Sequence, residues 1–170
     1  MFGQKVVLKG FCESDITDAY IGWLNDPATM RFSNQRFSRH DKASSQLYLA
    51  TFSKSVNLFL SVSDRATGSV IGTMTAYVSQ VHGTADMGIL IGERSAQAHG
   101  FGFDAWTTLL QHLLAQPNIR KVTAGTLACN TPMLRLAAKS GMAPDGRRNL
   151  QEVVDGVPHD MLFFAKFSGV

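Results

Sequence analysis

Cysteine, proline and charge are all scarce in this 170-residue chain, and each scarcity closes off a class of protein. The two cysteines, Cys12 and Cys129, lie far apart with no Cys-x-x-Cys or Cys/His spacing, so neither a disulfide framework nor a zinc site is expected. Five prolines and 15 glycines are too few for collagen-like, low-complexity or extensively disordered architecture. Charged residues make up 17% of the chain, below the roughly 25% usual in soluble domains, and 16 Lys+Arg against 13 Asp+Glu leave a net charge of +3. That balance is too weak for a nucleic-acid footprint, although it tolerates a polyanionic small ligand. No apolar run approaches the roughly 18 residues of a membrane span, and Met1-Phe2-Gly3-Gln4-Lys5 lacks the apolar stretch of a signal peptide. The expectation is one cytoplasmic globular domain over residues 1–170, without membrane or metal; a homodimer is left open.

What is present is an alternation of strand and helix patterns. Lys5 to Lys9 reads as a first strand. Tyr20, Trp23 and Leu24 at i, i+3 and i+4 predict a helix capped by Asp15 or Asp18 and ended by Asp26-Pro27. A second helix is expected from about Asp41 to Phe52, with Leu47, Ala50 and Thr51 on one stripe. The stretch Met30 to His40 between them is rich in hydrogen-bonding side chains and has no periodicity, so it reads as a functional loop. Asn57 to Ser63 and Val70 to Val78 predict a hairpin, and Met87 to Ile91 a further strand in which Gly88 marks a bulge or a close backbone approach. Trp106, Leu109, Leu110, Leu113 and Leu114 form a helical stripe stopped by Pro117. A strand at Lys121 to Leu127, a short helix from about Pro132 to Lys139 and two strands joined at Asp155-Gly156 complete the order β-α-α-β-β-β-α-β-α-β-β.

The strongest motif is Gln97-Ala98-His99-Gly100-Phe101-Gly102, which lies between the strand ending at Ile91 and the long amphipathic helix. A helix start exposes unpaired N–H groups and the positive end of the macrodipole, and two glycines let a diphosphate approach the main chain. A Walker loop is excluded because Phe103-Asp104 stands where Gly-Lys-[Ser/Thr] is needed. A Rossmann fingerprint is excluded because these glycines follow the fourth strand of a mostly antiparallel run.

The motif and its context resemble the GNAT superfamily of acetyl-CoA-dependent N-acetyltransferases, whose pyrophosphate loop carries Gln/Arg-x-x-Gly-x-Gly/Ala between the fourth strand and third helix. Tyr20-Ile21-Gly22-Trp23-Leu24-Asn25-Asp26-Pro27 is similar to a stretch of the RimJ/RimL-type branch, and Asn130 to Met142 resembles a C-terminal segment of the superfamily. The loop keeps the branch's glycines but lacks its Trp and its basic residue. The resemblance implies an α+β fold: a mixed, mostly antiparallel seven-stranded sheet, splayed between strands 4 and 5 and flanked by about four helices. It implies direct acetyl transfer from acetyl-CoA to a primary amine, whether a protein N-terminus, an amino sugar or another small amine. A non-catalytic acyl-CoA-binding regulatory module is the alternative.

By position, the resemblance implies that the backbone of Ile89, Leu90 and Ile91 holds the pantetheine arm. Gln97, Ala98, His99, Gly100, Phe101, Gly102 and Phe103 would hold the diphosphate, and Asn130 would stand near the pantetheine and the thioester. Counting back from the loop puts Asp86 at the general-base position of histone-acetyltransferase-like members. His40 and His82 are further base candidates, with pKa values naturally near 6.5. The family's thiolate-protonating Tyr is replaced by Ala137, which leaves Ser140, water or the ammonium itself. Ser33, Asn34, Gln35, Arg36 and His40 form the candidate acceptor contacts. Cys129 has no basic neighbour in sequence to lower its pKa, so no acyl-enzyme is expected.

Overall fold

Each element starts where the sequence supplies a cap or a turn. In this computed structural model, which describes residues 1–169, the order is β1 (Val6–Gly10), α1 (Asp18–Asn25), α2 (Lys42–Ala50), β2 (Leu58–Asp64), β3 (Val70–Ser79), β4 (Thr84–Ile91), α3 (Phe101–Leu114), β5 (Lys121–Leu127), α4 (Thr131–Lys139), β6 (Ala143–Val154) and β7 (Val157–Phe167). Val170, the end of the expected domain, lies outside them. Short 3-10 turns occupy Glu13–Asp15, Asn34–Phe37 and Arg94–Ala96.

Two details of the α1 and α2 readings change. The α1 cap is Thr17, whose hydroxyl accepts from the Tyr20 N–H at 3.2 Å; Asp15 instead accepts from the Cys12 N–H within its own turn. In α2, Asp41 caps the helix and accepts from the Ser44 N–H, but Leu47 is 72% exposed and Ser45 is the buried residue. The inward face is carried by Ser45, Leu49 and the following Phe52, because that face meets aromatic side chains and a cavity rather than a continuous apolar wall.

The seven strands run in the order β1-β2-β3-β4-β5-β7-β6, with β4 and β5 parallel and the other neighbours antiparallel. On one side, Trp106, Leu109, Leu110 and Leu113 of α3 bury against Leu60, Met74, Met87 and Val122. Truncating the fully buried Trp106 would cost about 3–5 kcal/mol. Phe59 belongs to a second cluster with Phe11, Ile16 and Tyr20, as the period-two alternation of β2 requires. Asp155 and Gly156, at φ 51° and 79°, make the tight turn between β6 and β7.

The feature that positions the site is a splay. β4 and β5 pair only from Thr84 to Asp86 and from Lys121 to Thr123. Beyond that, Met87 to Ile91 pair with β3 alone and Ala124 to Leu127 with β7 alone. The facing edges therefore open into a wedge that leads toward the starts of α3 and α4. Gly88 lies in this free half of β4 without any register shift, so the bulge reading falls and the close-approach reading stands. A Cβ there would come within 2.9 Å of Thr75 Oγ1.

Candidate active site

On the wedge side of β4, the chain turns from Ile91 through residues 92–100 into α3 with backbone rather than side-chain devices. Gly100 is the N-cap of α3 at φ 84°, and no side chain caps the helix. Ala98 also sits in the left-handed region at φ 63°. The N–H groups from Ala98 to Phe103 donate to no acceptor among the described residues; the first intrahelical bond is Asp104 N–H to the Gly100 carbonyl at 3.0 Å. Six consecutive free donors at the positive end of a 14-residue helix form a cradle that could hold an anion. Gln97 braces it by donating its side-chain amide to the Ile91 carbonyl at 3.0 Å.

A basic residue reaches this loop from elsewhere in the chain. Lys5 Nζ donates to the His99 carbonyl at 2.9 Å and lies 3.6 Å from where a Cβ on Gly100 would stand. It is held there because Asp104, in the first turn of α3, accepts the backbone N–H groups of Gln4, Lys5 and Val6. Lys139 Nζ lies 4.3 Å from the Phe103 ring centroid, which brings another ammonium to the same turn. The His99 side chain is exposed beside these groups.

On the opposite face of the sheet, a cavity of about 400 Å³ lies between α1, α2, the 30–40 loop and the free half of β4. Gly88 and Leu90 form part of its floor, Tyr20, Tyr48 and Phe59 an aromatic wall, and Ser33, Gln35, Arg39 and His40 its loop side. Burial raises the Tyr20 hydroxyl to about 12. Burial, reinforced by the 2.7 Å hydrogen bond with Tyr77, also pushes the Tyr48 hydroxyl up, so both stay protonated. The side chains of Asn34 and Arg36 turn away: Asn34 donates to Glu152, and Arg36 donates to the carbonyls of Ser33 and Val153. They tie the loop to the β6–β7 hairpin, as does the Arg31–Asp155 pair at 2.6 Å.

Asp86 marks the vertex of the wedge. It is the last β4 residue paired with β5, and its carboxylate accepts from the Thr123 hydroxyl at 2.6 Å. Crowding by protein holds its pKa above the ordinary aspartate value, and the Thr123 hydrogen bond pulls the other way. Asn130, three residues beyond the end of β5, caps α4: its side-chain carbonyl accepts from Met133 N–H and its side-chain amide donates to Thr126 at 3.0 Å. No group of three or more His, Cys, Asp or Glu side chains gathers for a metal among the described residues.

A family model of the acetyltransferase (GNAT) domain matches residues 5–143. The chain belongs to the GNAT acetyltransferase family. Solved structures share its fold. A GNAT-family acetyltransferase from Bacillus anthracis superposes with a TM-score of 0.84 at 14% identity, over 99% of this chain and 98% of that one. RimL, a ribosomal L7/L12 alpha-N-protein acetyltransferase solved with coenzyme A, gives 0.83 at 13% identity over 96% and 94%. The spermidine N-acetyltransferase of Vibrio cholerae, solved with CoA and spermine, gives 0.84 at 16% identity over 96% of each chain. No curated protein sequence matches the chain.

As a GNAT acetyltransferase, the molecule leaves two of its sequence candidates away from the wedge and the cavity. His82 sits in the β3–β4 turn at the closed end of β4, where its carbonyl accepts from Arg120. Ser140 is buried and donates its hydroxyl proton to the Ala137 carbonyl, so it presents none to the wedge, and the Ala137 methyl has none to give. Lys5, Arg39, Ser45 and Tyr48 are the functional candidates that sequence reading passed over. Ser45 carried no signal in the sequence, because a stripe of Leu47, Ala50 and Thr51 puts it on the outward side of α2.

Proposed function

We propose that this GNAT acetyltransferase moves acetyl from acetyl-CoA directly to a primary amine of a protein N-terminus, an amino sugar or another small amine. It would act in the cytoplasm as one domain over residues 1–170. The observation that carries the proposal is the free-donor cradle from Ala98 to Phe103 at the mouth of the β4–β5 wedge, with a separate acceptor cavity across the same strand. In this reading the backbone of Ile89, Leu90 and Ile91 takes the pantetheine arm as an added strand. Gln97 to Phe103, with His99 beside them, take the diphosphate. Asn130 orients the segment nearest the thioester. Bound acetyl-CoA supplies an activated carbonyl that takes the amine nitrogen with loss of the CoA thiolate.

The chain's own work is then positioning and proton handling. Asp86 receives the ammonium proton, directly or through a water; its raised pKa makes it a better base than an ordinary aspartate. A backbone N–H of β4 faces the oxygen on which charge develops. With no donor at Ala137 and the Ser140 hydroxyl turned into its own helix, water or the second proton shed by the amine nitrogen as the amide forms meets the thiolate. Ser33, Gln35 and His40 contact the acceptor, while Asn34 and Arg36 hold their loop in place.

Membership of the RimJ/RimL-type branch is supported by what its signature stretch does here. Trp23 packs so closely on Gly92 that a Cβ there would fall within its ring. Asn25 exchanges hydrogen bonds with the backbone of His40 at 2.8 and 2.9 Å. Asp26 accepts from Thr29 and Arg94, contacts that hold its pKa below the usual carboxylate range. One stretch of α1 thus fastens the acceptor loop to the segment that follows β4. The test is a thiol-release assay over peptides with free N-termini, amino sugars, amino-sugar nucleotides and small amines. Turnover is expected with at least one class; tight CoA binding with no acceptor from any class would overturn the proposal.

A further inference from the structure

The acceptor cavity has a chemical character of its own. No carboxylate lines it among the described residues. A polyamine, which carries several positive charges, would find nothing there to offset them. Adjoining it is a second cavity of about 370 Å³, and the two share Leu24, Ser38 and Arg39. The carboxylates of that second space, Asp26 and Asp155, are already paired with Arg94 and Arg31.

Among the arginines of the 30–40 loop, Arg31 is held by Asp155 and Arg36 by two backbone carbonyls. Arg39 makes no hydrogen bond or ion pair among the described residues, its charge acting only at longer range on Asp41, and it stands where the two cavities meet. A guanidinium is a forked donor suited to bidentate recognition of phosphate or carboxylate. A second unused group lies deeper. Ser45 is 3% exposed, lines the larger cavity, and its hydroxyl has no partner among the described residues. Buried hydroxyls are rarely left unpaired, and here the cavity is the side from which a partner can come.

From these two groups we infer that the acceptor is a small hydroxylated primary amine carrying an oxyanion, phosphate or carboxylate. Its oxyanion binds Arg39, a hydroxyl meets Ser45, and its amine lies over Gly88 toward Asp86. This rests on the acetyltransferase reading above and narrows it, setting aside both polyamines and amino sugars without an anionic group as preferred acceptors.

The test is calorimetric titration of the CoA-loaded protein with matched probes. Glucosamine 6-phosphate is compared with glucosamine, and L-serine with serinol, which replaces the carboxylate by a hydroxyl; spermidine is the counter-probe. The anionic member of one pair is expected to bind about tenfold tighter or more, and Arg39→Gln to erase that gain while CoA affinity holds. The pair that shows the gain names the oxyanion. Ser45→Ala is expected to weaken the preferred probe about fivefold while leaving the melting temperature equal or higher, because it deletes an unpaired buried hydroxyl; a merely structural serine would lower it. Equal binding within both pairs, a gain that survives Arg39→Gln, or tighter binding of spermidine than of either anionic probe would overturn the inference. Arg39-dependent binding with no thiol release from any amine would support this site while overturning the transfer reaction, so the two failures are distinguishable.

Discussion

The two sides of β4 are built by different means. On the wedge side, the cradle consists of consecutive backbone amides between a strand end and a helix start, and Gln97 braces it from within by a bond to Ile91, six residues away. On the cavity side, the walls come from α1, α2 and a loop whose shape depends on side chains reaching residues 152–155 in the β6–β7 hairpin. A backbone site tolerates drift in sequence so long as the left-handed Gly100 remains. A site made of distant side-chain contacts can change its ligand by changing a few of them. That contrast can be broken experimentally on either side.

The largest effect is expected where the two sides meet. Asp86→Asn keeps the size and can still accept the Thr123 hydrogen bond but cannot take a proton, so kcat/KM should fall by about 10²–10⁴ with CoA affinity unchanged. The pKa shift gives an independent check of folding. Because the folded-state pKa of Asp86 is raised, its contribution to stability is complete below the unfolded value near 3.9 and is lost as pH rises through the folded value. At pH 7 the Asn variant should therefore melt at the same temperature as the parent or higher, and melting curves across pH 3–8 would show the two converging in acid. Wild-type turnover with an unchanged pH–rate profile would mean that solvent deprotonates the amine and would reduce Asp86 to a strand residue.

Next in size is the cradle itself. A side chain at Gly102 would meet only Ile91 Cγ1, at an ordinary 3.4 Å, so the position accepts a Cβ. Gly102→Asp therefore tests charge rather than fit, and opposing a carboxylate to the diphosphate should weaken CoA by about 10²–10³ in calorimetry, with Gly102→Ala close to the parent. This half of the site was legible in the sequence because its determinants are local: Gln97, Gly100 and Gly102 lie on one short segment whose flanking periodicities name the strand and the helix. The strand order and the splay were legible only through the family resemblance, since pairing between β4 and β5 joins residues 37 apart and leaves no local pattern. The acceptor side was half legible. Ser33, Gln35 and His40 line the cavity, but nothing adjacent in sequence tells that Asn34 and Arg36 are claimed by residues 118 and 117 positions away.

A smaller effect sharpens the contrast by asking whether the wedge side is purely local. Lys5→Gln removes an ammonium that reaches the loop from 94 residues upstream. The group is exposed and screened, so the expected loss is modest, about three- to tenfold in CoA affinity, growing as salt is lowered. A loss above about 100-fold would mean that the diphosphate depends on this side chain and that the cradle is not a backbone site.

The smallest expected effect tests the cavity side at its most distant anchor. Arg31 and Asp155 are 124 residues apart in sequence and 55% and 68% exposed at their side chains, and an ion pair so placed contributes about 0–1 kcal/mol to stability. Arg31→Ala and Asp155→Asn should each leave the melting temperature nearly unchanged, and a double-mutant cycle should return a coupling below about 1 kcal/mol. The pair nevertheless helps to fix where the hairpin tip meets the loop that carries Arg36, Arg39 and His40. Acceptor KM should therefore rise by about two- to fivefold in either variant, while CoA affinity, set on the far side of β4, stays within error. If CoA affinity moved with acceptor KM, the two sides would be mechanically coupled. Trp23 on Gly92 and Asp26 with Arg94 would then be the contacts to cut next, because they join α1 and its C-cap to the segment between β4 and the cradle.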